Sequence, residues 1–281
     1  TDMGKTFKIF GHETNKNILD KQLNAGVFPH AYLFVGPQGV GKKALALELA
    51  QEILGAKNIV GHPDFLLLDI EGEITMEPAL EFISRLSLKP FIGKYKVAII
   101  NNAENLNQQS GNALLKTLEE ASESTIIILV AGYGKLLTTI ISRCQTFNFH
   151  GFSKEELVKY SADLGLVVNE QMIDLSFGSF GRLKQLSEDK DFFAFQKNAI
   201  TEFMELNKSF VGQKLAQVAK FAELEEEDLT STLNCWMFWQ YEKLNQNPEN
   251  FSKVAAVAEA LLDLKRNFNK KLVLQSLFLK I

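Results

Sequence analysis

The residues best able to do chemistry form one run, Gly36-Pro37-Gln38-Gly39-Val40-Gly41-Lys42-Lys43. Glycines let successive backbone N–H groups turn inward around a phosphate, a following helix adds the positive end of its dipole, and a lysine reaches the outer phosphates. Gly36, Gly39, Gly41 and Lys42 stand where such a phosphate-binding loop, or P-loop, needs them. Lys43 does not fit: a working loop has Ser or Thr there, whose hydroxyl binds Mg²⁺, and an ammonium cannot coordinate a cation. Hydrolysis of a nucleotide also requires acids at the end of a neighbouring strand, the Walker B element. The candidate strand reads Val97-Ala98-Ile99-Ile100-Asn101-Asn102-Ala103-Glu104, with amides at both acidic positions. An amide binds Mg²⁺ weakly and cannot act as a general base. Glu104 lies two residues further on and reads as the start or cap of the next segment. Binding of ATP or ADP is therefore expected to be weak and to rest on Lys42 and backbone amides. A tight strand-to-helix turn that binds nothing explains the same residues.

Metal chemistry has less support. His12, His30, His62 and His150 are isolated in sequence, and the two cysteines, Cys144 and Cys235, make no CxxC pair. Zinc is not expected, and two distant cysteines suit a reducing compartment.

The elements that must position these residues alternate. Short apolar runs at Ala31 to Val35, Phe65 to Asp69, Val97 to Ile100, Thr125 to Val130 and Gln145 to Phe149 read as five strands. Between them, Lys43 to Leu54, Glu77 to Leu88 and Gln108 to Glu120 carry apolar residues at spacings of three and four, as crossover helices of a parallel sheet do. The fold class is α/β, with Asn101-Asn102 at a strand end where a doubly wound sheet puts its site. Beyond Phe149 strand signals stop. Ser153, Glu155 and Glu156 open a helical stretch, and Gly178-Ser179-Phe180-Gly181 breaks it. The expected domains are residues 1–150, 151–187 and 188–281, the last broken near Asn245 to Asn250 and carrying an apolar face at Val254, Val257, Ala258 and Leu261. Trp236, Phe238, Trp239 and Tyr241 read as helix-core packing or, alternatively, a subunit-contact surface. The acidic run Glu223 to Asp228 reads as a solvated helix start or loop.

The chain has 281 residues, 46% of them apolar and 23% charged, enough for about two globular domains. Thirty basic against 34 acidic side chains leave a net charge of −4, and residues 1–150 carry 14 basic and 15 acidic ones. Neither half is a basic domain, so weak binding to DNA is expected of the chain alone. No run of about 18 apolar residues exists, and Thr1 to Lys5 lacks a secretory pattern. Thr1 and Asp2 precede a Met and read as a remnant of expression or processing. A cytoplasmic protein without membrane contact is expected.

Two stretches carry a resemblance. Asn112-Ala113-Leu114-Leu115-Lys116-Thr117-Leu118-Glu119-Glu120, followed by Thr138-Thr139-Ile140-Ile141-Ser142-Arg143-Cys144-Gln145, resembles the DNA polymerase III clamp-loader subunits of bacteria. His30 to Phe34 and Leu86 to Pro90 are similar to the same family, the likeness spans most of residues 7–187, and Asn269 to Leu274 resembles its collar more loosely. The resemblance implies an AAA+ ATPase-like domain, a small helical lid and a helical collar that assembles five subunits into an open ring. Motor subunits of that family keep an intact P-loop and an Asp-Glu pair. This sequence instead matches the delta-prime pattern, with both degraded and Ser-Arg-Cys retained. The sensor-1 position reads Ala131-Gly132, and the family's four-cysteine zinc module is missing. Gly181-Arg182 resembles sensor 2 and reads equally as a helix start with a surface arginine. The implied function is a catalytically degenerate scaffold that helps load the sliding clamp on primed DNA during replication. Its partners would be the gamma/tau-like motor and delta subunits, and Arg143 would serve a neighbour's site as an arginine finger. The alternatives are an active AAA+ ATPase hydrolysing its own Mg-ATP and a stand-alone scaffold outside any clamp loader.

Overall fold

A computed structural model of the chain describes residues 6–120, 122–133, 136–244 and 250–281. The N-terminal residues Thr1 to Lys5 and most of the break expected near 245–250 lie outside these described residues. Five strands, β1 (Ala31–Val35), β2 (Phe65–Asp69), β3 (Lys96–Asn101), β4 (Thr125–Ala131) and β5 (Gln145–Asn148), pair in parallel in the order β2-β3-β4-β1-β5. These are the five apolar runs of the sequence. Every residue of β4 and the first four of β1 are buried, as a parallel sheet covered on both faces requires.

Crossover helices α2 (Lys42–Leu54), α3 (Met76–Leu86) and α4 (Gln108–Glu120) return the chain between strands. Leu45, Ala46, Leu49 and Ala50 of α2 are buried, the i, i+1, i+4, i+5 stripe of a helix lying on a sheet. A helix that hydrophobic periodicity did not announce, α1 (Glu13–Ala25), precedes β1. Its signal is thin because only Leu19 and the stem of Lys16 are buried. Both α1 and α2 stop at a glycine in the left-handed region, Gly26 (φ 63) and Gly55 (φ 62). In each the next two N–H groups return to the last turn in a Schellman pattern, Gly26 to Leu23 and Val27 to Gln22 for α1. A single-turn helix α5 (Thr138–Ile141) leads into β5, which forms one edge of the sheet.

By density of internal contacts the chain falls into two compact units. The first runs through Ser153 and takes in Ser179–Gly181; the second comprises Lys154–Gly178 and Arg182–Ile281. The second is wholly helical in its regular structure: α6 (Lys154–Asp163), α7 (Glu170–Ser176), α8 (Phe180–Glu188, whose first two residues belong to the first unit), α9 (Lys190–Lys208), α10 (Val211–Ala222), α11 (Glu226–Glu242), α12 (Asn250–Lys265) and α13 (Lys270–Lys280). Its core is built around Trp236, with Phe203, Phe221 and Phe278 packed on the indole at centroid distances of 5.1, 5.3 and 6.1 Å. The indole N–H donates to the Ala199 carbonyl at 2.7 Å, so the buried ring leaves no unpaired donor.

The aromatic run therefore divides. Trp236 is core, Trp239 packs partly against it, Phe238 stacks on Phe177, and Tyr241 is 60% exposed. On α12 the buried residues are Ala256, Val257, Ala260 and Leu264, so of the apolar face read from sequence only Val257 is fully buried. The acidic run supplies the first turn of α11 with Glu226, Glu227 and Asp228, where the helix dipole favours negative charge. Among the described residues no helix is long and apolar enough to cross a membrane.

Candidate functional site

The P-loop leaves β1 at Val35 and enters α2 at Lys42. Gly36 donates its N–H to the Ala131 carbonyl at the end of β4 (3.3 Å), and a Cβ on it would lie 2.3 Å from the Phe149 carbonyl oxygen. No other residue fits there. Gly39 (φ 72) and Gly41 (φ 100) carry the turn through the left-handed region. Lys42 is 6% exposed, and its Nζ donates back to the carbonyls of Gly36 (2.7 Å) and Pro37. Burial brings its pKa down to about 8, opposed by the negative field of Glu104. Gly181 closes on the loop: its N–H donates to the Gly39 carbonyl at 2.8 Å, and a Cβ would come within 3.1 Å of that oxygen.

Where a metal would be held, the chain has an internal ion pair. Lys43 Nζ pairs with Asp69 Oδ2, and Asn101 Nδ2 donates to Asp69 Oδ1 at 2.7 Å. The register explains this, because Asp69 and Asn101 are directly opposed at the ends of β2 and β3. Hydrogen bonds from Lys43 and then Asn101 hold the Asp69 carboxyl below its ordinary range, against the opposing effect of burial. Asn102 turns the chain out of β3 at φ 53 into a 3₁₀ turn, Ala103–Asn105. Glu104 lies in that turn, and its Oε2 is buried with no hydrogen-bond partner among the described residues. The loop thus fits a phosphate, since a cradle that a Cβ would fill is present with its lysine. It does not fit Mg²⁺, because the cation position is taken by an ammonium already matched to a carboxylate.

Asp69 was legible only as a strand end. Its role depends on a partner 26 residues away and another 32 residues away.

Arg143 sits between α5 and the edge strand β5. Its guanidinium donates to the Thr139 carbonyl (2.9 Å) and pairs with Glu119 of α4, at 35% and 52% side-chain exposure. Arg182 is half-buried within the second unit and is not a surface arginine. Nε donates to the Leu175 carbonyl at 2.9 Å, a second nitrogen donates to Gln196 Oε1, and Cζ lies 4.8 Å from the Phe177 ring and 5.7 Å from that of Phe238. His12 bonds the Val40 carbonyl (2.9 Å) and His62 accepts from the Asp64 amide (3.2 Å). Among the described residues no three His, Cys, Asp or Glu side chains are grouped to hold a metal ion.

The family described as "DNA polymerase III, delta subunit" matches residues 11–153, just over half of the chain. The chain is 33% identical over 174 residues to "DNA polymerase III subunit delta'" of Pseudomonas aeruginosa, covering 53% of this chain and 53% of that protein. It is 29% identical over 178 residues to "DNA polymerase III subunit tau/gamma" of Haemophilus influenzae, covering 57% of this chain and 26% of that one. It thus spans about a quarter to a half of these relatives' length. A likeness to "Replication factor C small subunit 1" of Pyrobaculum islandicum, 28% identical, extends over 94% of the chain and 78% of that protein. The fold is that of a solved DNA polymerase III gamma subunit-related protein from Thermotoga maritima, with TM-score 0.52, 22% identity, and 95% and 97% of the two chains covered. A P-loop on a five-stranded parallel sheet, the matched family and these relatives agree: the chain belongs to the DNA polymerase III delta subunit family, the clamp-loader group of AAA+ proteins.

Proposed function

We propose that this chain is a delta-prime-like subunit of the clamp loader. In this reading it is a catalytically degenerate scaffold that helps place the sliding clamp on primer-template DNA, assembled with gamma/tau-like motor and delta subunits in the cytoplasm. Residues 151–187 are its lid and 188–281 its collar, Arg182 is the lid's counterpart of sensor 2, and zinc plays no part. The observation that carries the reading is the Lys43–Asp69–Asn101 arrangement, because it removes the hydroxyl and the acids that Mg²⁺ and the attacking water need. Arg143 supports it from another side. It is presented beside an edge strand on a single exposed ion pair worth under ~1 kcal/mol, which a neighbour's phosphate can replace with a bidentate contact.

The second reading is a motor subunit, favoured by the retained Lys42 and by the one carboxylate that acts on it, Glu104. The test is twofold. The isolated chain should co-purify with the motor and delta subunits yet release phosphate from ATP negligibly. Turnover at motor-subunit rates that Lys42→Ala abolishes would make it a motor, and failure to co-purify would leave a stand-alone scaffold. In the reconstituted complex Arg143→Ala should keep assembly and lower DNA-stimulated ATPase by roughly 10³-fold, with little rescue by Arg143→Lys. Loading at the wild-type rate by the alanine variant would return Arg143 to a structural role.

A further inference from the structure

Glu104 takes no part in the Lys43–Asp69–Asn101 arrangement. Its carboxylate lies against the end of β4, one residue from the hydrogen bond that ties the P-loop to the sheet. Lys42 Nζ bonds the carbonyl of Gly36, and Gly36 in turn donates its N–H to the carbonyl of Ala131. The residue after Ala131 is Gly132. A Cβ on Gly132 would meet Glu104 Oε1 at 2.7 Å and Cδ at 3.5 Å, the only atoms within 4 Å among the described residues apart from its chain neighbours. Gly132 is not in the left-handed region, so its backbone does not demand glycine. What a side chain there would meet is the end of the Glu104 side chain, a flexible group that it would displace. The other oxygen of Glu104, Oε2, is buried without a hydrogen-bond partner among the described residues, a costly state for a charged group unless a nearby charge offsets it. The charge on offer is Lys42, whose ionised form Glu104 favours against burial.

We infer that Glu104 is the resident counter-anion of the P-loop: admitted by the missing side chain of Gly132, it supplies Lys42 with the negative charge a phosphate would bring, so that a nucleoside di- or triphosphate binds against it. The inference rests on reading residues 36–42 as a phosphate loop. It gives the loss of side-chain polarity at Ala131-Gly132 a reason, since any side chain at position 132 would push the carboxylate out. It also assigns Glu104 a role opposite to that of a catalytic acid. A carboxylate that serves hydrolysis strengthens the metal nucleotide complex, whereas this one weakens binding by repelling the phosphates.

The test uses the full chain, with ATP as the probe in calorimetric titrations and ¹⁵N-lysine side-chain NMR as the second readout. Glu104→Gln, which keeps the shape and removes the charge, should tighten ATP binding roughly tenfold, as expected for deleting one like charge near a partly buried site. The same variant should lower the pKa of Lys42. Gly132→Ala, which displaces the carboxylate without changing it, should move both quantities in the same directions. ATP affinity that is unchanged or weaker in Glu104→Gln overturns the inference, and a weaker one makes Glu104 an acid of the motor type. Absence of ATP binding in every variant overturns it as well. Membership of the clamp loader is untouched by either result, because co-purification with the motor subunits tests that separately.

Discussion

Lys42 and Lys43 are neighbours in the chain with opposite fates. The first is withdrawn into the loop it closes, and the second points from α2 to the carboxylate of Asp69, 26 residues away at the end of β2. Their difference has a measurable consequence. The Lys42 pKa falls from 10.5 to about 8 on folding, so between those values the unfolded chain binds a proton that the folded chain has released. Stability owed to Lys42 is then fully present above about pH 10.5 and is lost as pH falls through about 8. Urea unfolding of the wild type and of Lys42→Met should therefore differ more in the wild type's favour at pH 9.5 than at pH 7.5. A difference that does not grow over that interval would mean that Lys42 is solvated in the folded chain.

At the scale of elements the best example is the turn between α3 and β3. Helical periodicity runs on to Leu88, but the helix ends at Leu86, and the following loop is fastened by the carboxylate of Asp64, which is 0% exposed. It accepts the backbone amides of Phe91, Ile92 (2.8 Å) and Gly93 (3.1 Å), just ahead of the first residues of β3. Three amides held by one anion make the loop a rigid connector with Phe91 and Ile92 turned outward, at 84% and 69% exposure. Burial opposes ionisation of Asp64, but the three amides and nearby His62 outweigh it and hold the carboxyl below its ordinary range. Asp64→Ala should cost about 2 kcal/mol in chemical denaturation, since it leaves three partly buried amides without the anion that holds them. The contribution is present above the ordinary carboxylate value of about 4 and lost as pH falls below it, through the depressed folded value. The wild-type advantage over Asp64→Ala should shrink correspondingly in acid.

For the whole molecule, charge balance limits what the chain does alone. A net −4 spread over two halves, neither of them basic, offers few phosphate contacts in surplus. The free chain should bind primer-template DNA with a Kd of about 10⁻⁶ M or weaker at physiological salt, the non-specific range. Nanomolar binding by the free chain in fluorescence anisotropy would contradict this.

What the sequence determined by itself was everything set by local periodicity or by contiguous motif. The five strands follow from apolar runs short enough to cross a covered parallel sheet, α2 to α4 from spacings of three and four, and the P-loop from glycines and a lysine in one stretch. That two amides, Asn101 and Asn102, rather than acids close β3 was readable for the same reason, since they end a recognisable strand. What only the tertiary structure decided were pairings across the sheet. Asp69 meets Lys43 and Asn101 because β2 and β3 are in register at their ends, and Asp64 meets Phe91 from 27 residues away. Glu104 meets Gly132 because the turn after β3 and the end of β4 lie side by side. Arg182 read equally as a sensor-2 residue and as a surface arginine, and packing decided only that it lies among Phe177, Phe192 and Phe238. In each case the side chain carries no local signal of its partner, because strand register and helix packing, rather than spacing along the chain, bring the charges together.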